Sequence, residues 1–147
     1  MEFVEVSDVV VENFRPGVMS GFGLDYESLK AVNPDIIMCS ISGWGQTGPQ
    51  AGFTGIDILI QSLRGIADMS SVPGERPVFI SFAVSDILAG LNAFGAICAA
   101  LYRRGVTGQG EYIDVGKADC ALAALGNSVG AHILSEGKAE FRYMAGS

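Results

Sequence analysis

The chain has 147 residues, enough for one ordinary domain, and its formal net charge of -7 disfavours DNA or an anionic membrane as a partner. Only 17% of the residues are charged and 49% are hydrophobic, so the chain has little polar surface to offer to water. Either it is a compact core protein, or another chain covers much of its surface. We expect residues 1–147 to form a single domain.

The first part of the chain alternates between apolar runs and turns. Residues 6–14 are a short apolar, β-branched run that is typical of a buried strand, and a turn-rich loop follows. Residues 24–34 have apolar side chains at helical spacing, with Asp25 as a suitable N-cap and Pro34 as the residue that ends the helix. Residues 35–43 predict a second buried strand.

The middle of the chain begins with a glycine-rich loop over residues 43–55. Residues 56–70 carry apolar side chains with a helical period, which predicts an amphipathic helix. A turn containing two prolines follows, and residues 78–81 predict a short extended segment.

The last part of the chain predicts two more helices and one more strand. A long helix begins at Ser85 or Asp86 and ends near Arg104, residues 111–119 form a third strand, and residues 118–136 form the last helix. Strands and helices in alternation predict an α/β fold. We expect a partial Rossmann-like layered fold, with a mainly parallel sheet and flanking helices.

Asp86 stands at the head of an apolar segment in which the next charged residue is Arg103. Unpaired N–H groups and the helix dipole stabilise a carboxylate in a first turn, so one interpretation is that Asp86, or Ser85 beside it, is only an N-cap. That interpretation does not explain Gly90 and Gly95, each of which costs about 1 kcal/mol relative to Ala inside a helix. Such glycines usually allow close approach of a backbone or a ligand, so Asp86 is also a candidate site residue.

Cysteine and histidine usage narrows the possible chemistry. Cys39, Cys98 and Cys120 are widely spaced and form no CxxC pair, which favours buried free thiols and a cytoplasmic location. His132 is the only histidine, and we predict no metal site. We predict no signal peptide, because the first residues lack a basic region followed by an apolar run. The longest apolar stretch is interrupted by Asn92 and by glycines, so we predict no membrane-spanning segment.

Four motifs follow one another along the chain: ENFRPG, NPDIIMCSISGWGQTGP, SDILAG and TGQGEYIDV. In this order and spacing they resemble the central block of the class III (CaiB/BaiF-type) coenzyme A-transferases, and the resemblance covers residues 6 to about 130. That family includes formyl-CoA and carnitine-CoA transferases and α-methylacyl-CoA racemase. Its members are much longer, so the resemblance implies that this chain corresponds to the middle part of their large domain.

The resemblance implies that Asp86 is the catalytic nucleophile of an acyl-CoA:carboxylate CoA-transferase. In the family, an aspartate at this position attacks the thioester carbonyl of an acyl-CoA, which gives a mixed anhydride and then an aspartyl thioester of CoA. The expected ligands are therefore an acyl-CoA and a carboxylic acid, both as substrates. We expect no permanently bound cofactor.

The resemblance also implies a set of residues that contact coenzyme A. These are Asn13, Phe14, Arg15, Phe22 and Asp57. Alternative interpretations stay open for four of them. Asn13 could be a turn residue and Phe14 a core aromatic side chain, and Arg15 could be a solvated charge and Asp57 a helix N-cap.

Three hypotheses therefore stand side by side: a CoA-transferase, a CoA-binding or interaction module without turnover, and a racemase-like enzyme. Ile56 occupies the position where the racemases have a histidine that transfers a proton, which favours transferase over racemase chemistry. Residues 87–101 and 118–134 are almost without charge. We expect these two segments to be covered in a homodimer or larger assembly, or by a partner chain that supplies further segments.

Overall fold

The structure is a computed structural model that describes residues 1–72 and 75–137. At its centre is a three-stranded sheet in the order β1 (Val9–Glu12), β2 (Ile37–Ser42) and β3 (Glu111–Gly116). Both pairs of neighbouring strands are parallel, so the carboxyl ends of all strands lie at the same edge. This confirms the predicted α/β fold with a parallel sheet and flanking helices.

The described residues form eight helices, of which α1 precedes the first strand and the others connect the strands or follow them. They are α1 (Glu2–Glu5), α2 (Val18–Gly21), α3 (Tyr26–Val32), α4 (Asp57–Leu63), α5 (Ile66–Met69), α6 (Val84–Thr107), α7 (Lys117–Ala124) and α8 (Gly126–Leu134). Helices α2 and α3 connect β1 to β2, and α4 to α6 connect β2 to β3.

Small side chains bring α6 onto the sheet. Ala89 and Ala93 of α6 pack against Cys39 of β2 and Val115 of β3, and all four are buried. A second cluster around Trp44 joins α4, α5 and α7. A third cluster, formed by Val4, Leu29, Ile36 and Met38, packs α1 and α3 against β2, so helices before and after β2 both contribute to the core.

The opposite face of α6 carries large apolar side chains that remain exposed. They include Ile87, Leu91, Phe94 and Tyr102. A methyl group built on Gly90 or Gly95 would meet no described atom within 4 Å, so no contact inside the described chain explains these glycines. By length and composition α6 could also cross a bilayer, although its alanine face already packs on the sheet.

Two predicted helices are each divided into two. The helix expected over residues 56–70 is interrupted at Gly65, whose φ of 84° is the left-handed conformation that glycine adopts without strain. The helix expected over residues 118–136 is interrupted at Leu125, which ends α7 and precedes α8. The Leu125 side chain packs against the Trp44 cluster, so tertiary packing fixes this bend.

Three other boundaries differ from the prediction. The strand expected over residues 6–14 is shortened to β1, because α1 and a turn precede it. The strand expected over residues 111–119 ends at Gly116, and Lys117 already begins α7. Residues 78–81, expected as a short extended segment, join no sheet. The Gln61 side chain of α4 bonds both backbone groups of Ile80, and the Val78 N–H donates to the Ala67 carbonyl oxygen of α5.

The three cysteines are free, and two of them, Cys39 and Cys120, are buried. Burial raises the pKa of both of these thiols. Cys98 is exposed on α6, so the expectation of three buried thiols is wrong for this residue. It lies seven positions after Leu91, which places both on the outer face of the helix.

The glycine-rich loop between β2 and α4 closes on itself. Gly43 at its start and Gly55 at its end approach so closely that a methyl group on either would collide with the backbone of the other. The Trp44 indole N–H donates a hydrogen bond to the carbonyl oxygen of Thr54 at 3.1 Å, which is a second link across the same neck. Both ends of the loop are therefore fixed beside the carboxyl end of β2.

Candidate active site

A cleft of about 170 Å³ opens where β1 and β2 end. In open α/β sheets this carboxyl edge is where ligands bind. Four segments form the cleft: the residues after β1, the end of β2, the glycine-rich loop and the start of α7. Asn13, Phe14, Ser42, Phe53 and Lys117 are among its lining residues.

Three of the residues predicted to contact coenzyme A, Asn13, Phe14 and Arg15, line this cleft. The Asn13 side-chain amide donates to the carbonyl oxygen of Ile41 on the neighbouring strand. The Phe14 N–H donates to the Glu12 carboxylate at 2.7 Å, while the Phe14 ring is 54% exposed. Hydrogen bonds thus fix the backbone after β1 and leave the ring free, so Phe14 is not the core aromatic of the alternative interpretation.

Phe22 is not among the residues that line the cleft. It follows α2 directly and is 72% exposed. Contact between Phe22 and coenzyme A therefore requires that the ligand extend beyond the cleft. The assignment of this residue stays a prediction.

Internal hydrogen bonds fix Asp57. Its Oδ1 accepts from the backbone N–H and the hydroxyl of Ser85, at 2.7 and 2.6 Å, and its Oδ2 accepts from the Gln61 amide at 2.6 Å. Burial favours the neutral carboxyl group, but these hydrogen bonds outweigh burial and hold the pKa of Asp57 below its ordinary value of 3.8. Both oxygens therefore have partners inside the chain, and a contact from Asp57 to coenzyme A stays a prediction.

Asp57 caps α6 from another helix. The N-cap residue of α6 is Ala83, whose side chain cannot cap, so neither Ser85 nor Asp86 is the N-cap that the sequence suggested. Asp57 supplies the missing acceptor to the first turn of α6. It does not cap its own helix either, because Ile56 holds the N-cap position of α4.

Asp86 is the third residue of α6, and its carboxylate forms an ion pair with the Lys117 ammonium group. The side chain of Asp86 is 38% exposed and that of Lys117 is 12% exposed. Because Lys117 is the first residue of α7 and lines the cleft, the ion pair joins two helix starts beside the cleft. Both helix dipoles favour negative charge at this point.

Sequence reasoning missed Lys117 and Ser42. Lys117 lay in the predicted third strand, and the signal for its true position was Gly116, which ends the β-branched run. Ser42 is 3% exposed, and its hydroxyl has no hydrogen-bond partner among the described residues. No sequence signal marks a serine at the end of a buried strand as unpaired.

Known proteins match this chain in sequence and in structure. It is 42% identical over 124 residues to the succinate–glutarate CoA-transferase of Agrobacterium fabrum, a match that covers 84% of this chain and 31% of that enzyme. It is 42% identical over 126 residues to the acetyl-CoA:oxalate CoA-transferase of Acetobacter aceti, covering 85% of this chain and 32% of that enzyme.

A solved structure, a CAIB/BAIF family protein from Brucella suis, superposes with a TM-score of 0.89 at 45% identity. The match covers 95% of this chain and 36% of that protein. The chain thus spans about a third of the length of these relatives. The family model of CoA-transferase family III matches residues 1–145. The chain belongs to CoA-transferase family III.

Proposed function

We propose that this chain carries the nucleophile and part of the coenzyme A site of an acyl-CoA:carboxylate CoA-transferase. The observation that carries the proposal is the position of Asp86. Its carboxylate lies at the start of α6 and pairs with a lysine that lines the cleft at the sheet edge. The relatives that match this chain are CoA-transferases, which supports the same reaction.

The proposed reaction exchanges one acyl bond for another, so no electrons are transferred. An Asp86 oxygen attacks the thioester carbonyl of the donor, the C–S bond breaks, and a mixed anhydride and CoA thiolate form. The thiolate then attacks the aspartyl carbonyl and releases the donor acid as a carboxylate. The acceptor carboxylate attacks the resulting aspartyl thioester, and the thiolate released attacks the acceptor acyl group. This last step gives the new acyl-CoA and regenerates Asp86.

The position and contacts of Asp86 support this role. A carboxylate is a weak nucleophile that becomes effective when it is held in place and partly shielded from water. Asp57 fixes the start of α6, and the ion pair with Lys117 fixes the carboxylate itself. Asn13 and Phe14 lie along the same cleft, where we propose that they contact coenzyme A.

The experiment is to trap the adduct. The chain is mixed with succinyl-CoA, glutaryl-CoA or acetyl-CoA, the acyl groups that the relatives' names suggest, and is then treated with hydroxylamine. Mass spectrometry should locate a hydroxamate on Asp86. Asp86→Asn should abolish it. Asp119→Asn should not, because Asp119 is the third residue of α7, at the matching position of the neighbouring helix.

An adduct that persists in Asp86→Asn would contradict the assignment of the nucleophile. Binding of coenzyme A in calorimetry without an adduct from any of the three thioesters would instead favour the binding module without turnover.

We also propose a homodimer that covers the outer face of α6. The large apolar side chains of α6 are exposed, and so are Ile133 and Leu134 of α8, at 68% and 88%. Light scattering should give the mass of a dimer, and Cys98 should react with a thiol reagent faster on dilution. A soluble monomer at micromolar concentration would contradict the proposal.

A further inference from the structure

Lys117 occupies a position that requires an anion. It is the first residue of α7, where the positive end of the helix dipole disfavours a cation. Its side chain is also only 12% exposed, and a charged side chain that is largely removed from water needs a partner of opposite charge. The ion pair with the Asp86 carboxylate offsets both penalties.

Ser42 independently indicates a ligand at the same place. Its hydroxyl is buried without a hydrogen-bond partner among the described residues, and the residue lines the cleft together with Lys117. Ser42 lies opposite Gly116 in the sheet register, and Gly116 directly precedes Lys117. A buried hydroxyl without a partner is costly, and the oxygen or sulfur of a ligand would remove that cost.

We infer that Lys117 and Ser42 form an anion subsite that takes over the negative charge whenever Asp86 is acylated. The inference rests on the proposed CoA-transferase function. When an Asp86 oxygen attacks the thioester, the carboxylate becomes a neutral anhydride and the same charge appears on the sulfur of coenzyme A. The Lys117 ammonium group then loses its internal partner and pairs with that thiolate.

The Lys117 ammonium group then pairs with each later anion of the reaction. The departing donor acid is a carboxylate, and so is the arriving acceptor. No step of the proposed reaction moves a proton, because each step moves an electron pair between acyl groups. One negative charge is therefore available to pair with the Lys117 ammonium group at every stage.

The first test needs no turnover. Asp86→Ala removes the internal partner of Lys117 and so imitates the loss of charge on acylation. Sodium acetate should raise the melting temperature of this variant above that in sodium chloride of equal ionic strength. The double variant Asp86→Ala with Lys117→Met should show no such difference. Asp86→Ala with Lys30→Met, which removes an exposed lysine outside the cleft lining, should keep it.

Absence of an acetate effect in Asp86→Ala, or its persistence without Lys117, would overturn the inference. If Asp86→Ala does not fold, Asp86→Asn gives the same comparison, because it also removes the charge and keeps the shape of the side chain. Ser42→Ala in either background should weaken the acetate effect without abolishing it.

The second test uses the acylation reaction. Lys117→Met should lower the single-turnover rate of adduct formation about 100-fold, as expected when a group that stabilises developing charge is removed, with little change in the apparent Kd of the acyl-CoA. Lys117→Arg should restore most of the rate. Equal rates in wild type and Lys117→Met would overturn the inference and leave the transferase function intact. If wild type forms no adduct, the proposed function fails, and the acetate experiment still decides whether the anion subsite exists.

Discussion

The two ends of α6 each carry an ion pair, but only the residue at the last turn also fixes neighbouring backbone. At the first end Asp86 pairs with Lys117, and at the last turn Arg104 pairs with Asp8 at 2.7 Å. Both helix charges have the sign that the helix dipole favours. Arg104 also donates to the backbone carbonyl oxygens of Asp8 and Asp35, at 3.2 and 3.3 Å, so it fixes the chain before β1 and before β2.

At the first end, different residues fix the backbone and form the ion pair. Asp57 holds the first turn of α6, and Gln61 holds the backbone of Ile80 a few residues earlier. Asp86 and Lys117 pair through their side chains beside the cleft. A charge that suits the helix dipole therefore does not by itself indicate function. What distinguishes Asp86 from Arg104 is that other residues hold the backbone around it.

Removing the cap of α6 should have the largest effect on stability, because Asp57 fixes the backbone at the end of the helix that carries Asp86. Asp57→Ala leaves the buried N–H and hydroxyl of Ser85 without an acceptor, and we expect a loss of about 1–3 kcal/mol in the free energy of unfolding. Denaturant unfolding measures it. Asp25→Ala removes the half-buried N-cap of the short helix α3 and should cost less. An equal loss in the two variants would show that Asp57 is not the main support of α6.

The far end of α6 should respond in stability and not in chemistry. Arg104→Met removes an ion pair and two hydrogen bonds to carbonyl oxygens, and we expect a loss of about 1–2 kcal/mol with the acylation rate of the folded chain unchanged. Arg103→Met, which breaks the neighbouring exposed pair with Glu111, should cost less than about 1 kcal/mol. A large fall in acylation rate in folded Arg104→Met would contradict the contrast between the two ends.

Acid should weaken the first end of α6 through Asp57. The pKa of Asp57 is lower in the folded chain than its ordinary value of 3.8, so its charged form stabilises the fold above that pH. This contribution is lost as the pH falls through the lower, folded-state pKa. Wild type should therefore lose more stability than Asp57→Asn between about pH 5 and about pH 3, a range of about one unit on either side of the ordinary pKa. Parallel stability curves for the two proteins would contradict this.

Substitution of the glycines between the two ends of α6 should change the stability least, and should raise it where the other substitutions lower it. A methyl group on Gly90 or Gly95 meets open space, so alanine at either position should raise the stability of the isolated chain by about 0.5–1 kcal/mol. Gly43→Ala is the control, because its methyl group would collide with Gly55 and should destabilise the chain. A stabilised Gly90→Ala variant that no longer dimerises or binds coenzyme A would show that this glycine is kept for an external contact.

The parts of the molecule that could be predicted from the sequence are those that depend on residues close together in the chain. Apolar runs located all three strands and α6, and the motifs identified the family. The capping of α6 could not be read in this way, because Asp57 and Ser85 are 28 residues apart and meet only after packing. Lys117 reaches Asp86 only because β3 ends at Gly116 and α7 begins beside the start of α6.

The two ends of the glycine-rich loop and the residues between them differ in how freely they can be replaced during evolution. Because the contact between Gly43 and Gly55 fixes both ends, replacement of residues 47–53 leaves the end of β2 and the start of α4 where they are. Phe53 lines the cleft from this loop, whereas Lys117 lines it from the start of α7. Under the proposed function, exchange of this loop should change which acid the cleft accepts while Asp86 and Lys117 stay in place.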